Sequence, residues 1–148
     1  MFDASPLLHS ARADRLDVLG SLVCGFSSVT TRAVVDCDSL ETLAAFGRWG
    51  TRMGLTDDHN IGATTLCAYA DCRGGTVIMD DRDARRVAEF HGLTVRGTMG
   101  LLADACRRSD YTVASASVLA DSLRDTGMRL PFPRGGFESW ARDAKLLD

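Results

Sequence analysis

The chain has 148 residues, of which 45% are hydrophobic and 25% charged, with a formal net charge of -3 and a pI near 5.5. That composition excludes a disordered chain and a coat protein that binds nucleic acid through bulk positive charge. The length points to one compact domain over residues 1–148.

The five cysteines are odd in number and scattered, and no two have C-x-x-C spacing. They read as buried reduced thiols rather than a disulfide framework or a zinc ribbon, which makes a cytoplasmic location the default expectation. The start, Met1-Phe2-Asp3-Ala4-Ser5-Pro6, is too short and acidic for a signal peptide. No apolar run reaches membrane-spanning length.

Along the chain, Asp3 or Ser5 is a helix cap with Pro6 in the first turn. Leu7, Leu8, Ala11, Leu16, Val18 and Leu19 predict one or two short amphipathic helices, broken near Ala13-Asp14. Asp14 is read as a second cap and Gly20 as the stop. Leu22 to Phe26 reads as a short strand, and Thr30 to Asp36 as a short helix.

Helical spacing over Ser39–Met53 ends at Gly54, and a buried helix over Ile61–Cys72 ends at Arg73-Gly74-Gly75. Thr76-Val77-Ile78-Met79 is the clearest strand, being β-branched, apolar and preceded by a double glycine. It runs into Asp80-Asp81-Arg82-Asp83. A helix over Ala84–His91 is expected to bury Val87, Ala88 and Phe90. Leu93–Val95 is a second strand, followed by helices from Thr98, over Val113–Leu123 and over Phe137–Leu147. Strands alternating with helices imply parallel pairing and an α/β sandwich.

In open parallel sheets, ligands bind at the carboxyl ends of strands. Asp80, Asp81 and Asp83 stand at such an end, where mutual repulsion suits a hard divalent cation with oxygen ligands. The alternative is structural: Asp80 or Asp81 caps the next helix. Asp3 has the same two readings, and spacing alone does not decide between them.

The block from Ile78 through Asp80-Asp81-Arg82-Asp83-Ala84-Arg85-Arg86 to His91-Gly92-Leu93-Thr94-Val95-Arg96-Gly97-Thr98-Met99-Gly100-Leu101-Leu102 resembles a signature of VapC-like PIN proteins. Asp3-Ala4-Ser5-Pro6-Leu7-Leu8 resembles the first acidic motif of the same family. The resemblance implies a PIN-like three-layer α/β sandwich with a short, mainly parallel central sheet flanked by helices. It also implies ribonuclease chemistry at an acidic cluster holding Mg²⁺ or Mn²⁺. The implied catalytic acids are Asp3, Asp81 and Asp83, with Asp80 as a further metal ligand, and Ser5, Arg82 and Thr98 meet substrate or metal-bound water. A homodimer and a small antitoxin are the implied partners, beside RNA.

Two departures stand out. The family's second acid follows the glycine of an Asn-x-Gly-Glu-Ala-like motif, and this chain reads Asn60-Ile61-Gly62-Ala63-Thr64. Ala63 brings no carboxylate, so either catalysis is impaired or the chain binds RNA or protein without cutting. In addition, only Met1 and Phe2 precede Asp3 where a first strand is expected. Either that strand continues upstream or it is nearly lost.

A phosphoacceptor domain of the response-regulator kind also suits an acidic pair at a strand end. It would need a lysine on a late strand, and Lys145, the only lysine, falls in a helical stretch.

Overall fold

The computed structural model describes residues 1–23, 40–56 and 60–148. The helix expected over Thr30–Asp36, and Asp57, Asp58 and His59, lie outside them. The chain divides into two compact units, Met1–Pro6 with Phe26–Gly97, and Leu7–Gly25 with Thr98–Asp148.

In the first unit, α3 spans Leu40–Met53 and α4 spans Ile61–Arg73. α3 buries Thr42, Ala45, Trp49 and Met53, a three-and-four spacing that makes one apolar face. α4 is buried on nearly every side, from Ala63 through Ala68 and again at Ala70. Small side chains let the two helices approach closely: a Cβ on Gly50 would stand 4.0 Å from the Thr64 methyl and 3.3 Å from Leu55. Gly74, at φ 71° and ψ -177°, closes α4 in a conformation open to glycine, its N–H donating to the Ala70 carbonyl.

β1 (Thr76–Ile78) and β2 (Thr94–Arg96) pair in parallel, Val77 opposite Val95, with α5 (Arg82–Phe90) between them in sequence. Parallel strands need such a crossover. Phe2 adds an isolated parallel bridge to Ile78. The Ile78 N–H donates to the Met1 carbonyl at 2.7 Å, and the Asp3 N–H donates to the Ile78 carbonyl at 2.8 Å. The residues before Asp3 therefore pair with β1 on the edge opposite β2. The core beneath this short, helix-flanked parallel sheet joins Trp49, Leu66, Val77, Met79, Ala84, Ala88 and Val95. This is the α/β PIN-like arrangement expected from the sequence.

α1 spans Ala4–Arg12, and from Leu7 onward it belongs to the second unit. That unit also holds α2 (Leu16–Leu22), α6 (Thr98–Arg107), α7 (Val113–Asp125) and α8 (Phe137–Asp143). Phe132, Phe137 and Trp140 form its aromatic cluster. Three local expectations are corrected here. Gly20 lies inside α2 rather than stopping it. Leu22 closes that helix rather than opening a strand. Asp14 is a left-handed turn residue at φ 53°, and Arg15 takes the cap position.

Candidate functional site

The carboxyl ends of the parallel strands converge at one end of the first unit. Phe2 is held against Ile78, so Asp3 emerges from the edge strand beside the segment that follows β1. Burial pushes the Asp3 carboxyl above its usual range. The Ala4 and Ser5 backbone N–H groups oppose that rise, and the charges of Asp80 and Asp81 add to it. The acids at the two chain positions, 3 and 80–81, therefore share one electrostatic environment, as like charges at close quarters do.

Asp81 has a second task. It is the N-cap of α5, and its Oδ1 accepts from the Ala84 N–H at 2.7 Å. The capping reading of the sequence thus holds for Asp81. Asp83 is exposed in the first turn of α5 and is not among the charges acting on Asp3. Arg82 is exposed as the first residue of α5, and Ser5 lies in the first turn of α1. Thr98 opens α6 in the second unit, where it is buried.

Two further features of this end escape sequence reasoning. A Cβ on Gly97 would fall 2.5 Å from the Arg85 Nη1 and 3.2 Å from the Asp80 Oδ1. The glycine after β2 is what lets an arginine from α5 and the acid after β1 crowd one point. Its φ is ordinary, so the requirement is space rather than backbone freedom. On α4, burial followed by the charges of Asp3 and Asp71 pushes the Cys67 thiol up to about 12. Cys67 thus lies within the field of the Asp3 charge, and Ala63, one turn earlier, shares its helix face. Ala63 is buried at 8% exposure, within the same core as Met79 and Ala84. The helix side of the site offers a methyl and a thiol held neutral, not a carboxylate.

Residues 59–133 match the family model DUF3368, a PIN domain. The chain belongs to the PIN-domain family. Asp80, Asp81, Asp83 and Thr98 fall inside the matched span, and Asp3 and Ser5 precede it. No curated protein and no solved structure matches the chain.

PIN domains generally use Mg²⁺ or Mn²⁺. Carboxylate oxygens fit such hard cations in kind. In number this donor set falls short: among the described residues, no three His, Cys, Asp or Glu side chains gather closely enough to hold an ion. Also among the described residues, no helix is long and apolar enough to cross a membrane.

Proposed function

We propose that the chain is a PIN-type ribonuclease of the VapC-like toxin kind, acting on RNA phosphodiesters at the Asp3, Asp80, Asp81 end of the sheet and slowed by the methyl of Ala63. The reading takes the 148 residues as one PIN-like domain, cytoplasmic and homodimeric, with a small antitoxin as its natural partner. The observation that carries it is the pairing of Met1–Asp3 with Ile78, which brings Asp3 to the strand end that Asp80 and Asp81 follow.

In this reading one or two of Asp3, Asp80, Asp81 and Asp83 would hold Mg²⁺ or Mn²⁺ together with an RNA phosphate. A bound ion of this kind supplies an activated water and neutralises phosphate charge. The chain's own residues do the rest. Asp81 keeps α5 anchored while it lends its charge to the site. Arg82, exposed beside it, offers a planar fork of donors to an RNA phosphate. Ser5 would supply a hydroxyl group to the substrate. Mg²⁺ is commonly held by one or two carboxylates together with substrate phosphates. A site short of one acid is therefore expected to take the ion with RNA more readily than alone.

The test is cleavage of a structured RNA by the purified chain in Mn²⁺, with Asp81→Asn as comparison. Slow cleavage that Asp81→Asn abolishes supports the reading. Equal cleavage by both refutes the site.

A second reading, a PIN module that binds RNA or protein without cutting, is favoured by Ala63 and by the absence of a three-donor group among the described residues. Complete lack of cleavage with retained RNA binding selects it.

A further inference from the structure

The sequence pattern of α5 predicts that Phe90 packs inward with Val87 and Ala88, and the structure turns it outward, 84% exposed. On a helix, residues four apart stack one above another. Arg82, Arg86 and Phe90 are spaced in this way, and all three are exposed. They make a stripe along the face of α5 opposite its buried Ala84 and Ala88. The stripe begins beside Asp81, at the acidic strand ends, and runs about 12 Å to the Phe90 ring.

The far end continues the same chemistry. The His91 ring stands edge-on to Phe90 at 5.1 Å and edge-on to Trp49 at 5.7 Å. Arg52 of α3 lies over the Trp49 ring at 4.8 Å. An exposed ring braced by an imidazole, with guanidinium groups before it and beyond it, has the composition of a single-strand binding track. Cations follow the phosphates, and an aromatic face takes a base. Asp83 and Glu89, also exposed, border the stripe.

We propose that the Arg82–Arg86–Phe90 stripe binds single-stranded RNA and leads it to the acidic end of the sheet. Arg82 and Arg86 hold successive phosphates, and Phe90 stacks on a base. The proposal deepens the ribonuclease reading and rests on it for the direction of the strand. It does not need cleavage, since a chain that binds without cutting would use the same track.

The experiment measures anisotropy of a fluorescein-labelled oligouridine of about twelve nucleotides with the full chain in EDTA, where cleavage cannot occur. Phe90→Ala is expected to weaken binding about tenfold, the usual scale for losing one stacked base. Arg86→Gln is expected to weaken it and to lower the slope of log affinity against log salt by about 0.7. Arg108→Gln, an exposed change in the second unit, is expected to leave both unchanged.

Wild-type binding that neither Phe90→Ala nor Arg86→Gln weakens overturns the track and leaves the ribonuclease reading standing. A wild-type chain that does not bind the strand at all also overturns the track, while the ribonuclease reading is decided separately by the cleavage assay in Mn²⁺. Light scattering separates the remaining case: if Phe90→Ala converts a dimer to monomer at unchanged RNA affinity, the stripe is a contact between copies and the proposal fails.

Discussion

The two sides of the acidic site differ in what the fold gives them. On the strand side, three parallel segments end together, and the chain places an aspartate after two of them, Asp3 after the Phe2 bridge and Asp80-Asp81 after β1. On the helix side, α4 carries Cys67, which feels the Asp3 charge, with Ala63 one turn before it. One side concentrates negative charge and the other is apolar core. Hydrogen bonding along the strands fixes where the acids emerge, and it does so whatever α4 carries. In the proposed reading, a methyl at Ala63 therefore leaves the fold intact while it withholds one acid from the chemistry.

The largest expected effect tests the strand side. Asn is as good an N-cap as Asp, so Asp81→Asn should keep the bond to the Ala84 N–H and remove only the charge. Cleavage is expected to fall at least about 100-fold, with the melting midpoint unchanged. Asp81→Ala should lose activity and also about 1 kcal/mol of stability. If Asn and Ala destabilise equally, Asp81 is not acting as a cap in solution.

A smaller effect follows from the raised Asp3 pKa. A carboxyl that is harder to ionise when folded lowers stability as pH rises from the unfolded pKa through the folded one, and costs nothing below both. In metal-free buffer, Asp3→Asn should raise the melting midpoint at pH 7 and match wild type near pH 3. A midpoint at pH 7 equal to or below wild type contradicts the coupling of Asp3 to Asp80 and Asp81.

The smallest effect is on the helix side. A thiol at about 12 is protonated at pH 8, and Cys67 is fully buried. Iodoacetamide at that pH should spare Cys67 in the native chain and label it after unfolding, as read by peptide mass spectrometry. Labelling of native Cys67 would place it outside the core face described above.

Much of the first unit was legible in the sequence, because its signals are local and agree with one another. Gly74-Gly75 before three β-branched residues announces β1. Asp81 before Arg82–Phe90 announces a capped helix, and Gly54 ends α3 at φ 62°. The convergence of Asp3 on Asp80 was legible only through the family resemblance. Pairing of residues 76 apart leaves no periodicity to read, and the two residues before Asp3 are too few for a pattern.

Phe90 was misread for an opposite reason. Apolar residues at helical spacing normally face the core, and only the packing of Ala84 and Ala88 against the sheet shows that α5 is rotated to leave Phe90 outside. The role of Gly97 was hidden as well. A glycine between a strand and a helix looks like a turn, whereas here it makes room for Arg85 beside Asp80. Gly20 in α2 shows the converse, a glycine carried within a helix where a stop was expected.

The claim that most depends on this comparison is that the helix side lacks one acid at Ala63. Calorimetric titration with Mn²⁺ of the wild-type chain and of Ala63→Glu tests it directly. The account predicts weak binding to wild type and binding at least about tenfold tighter to Ala63→Glu, a gain abolished by adding Asp81→Asn. Equal affinity of the wild-type chain and a folded Ala63→Glu variant would contradict it.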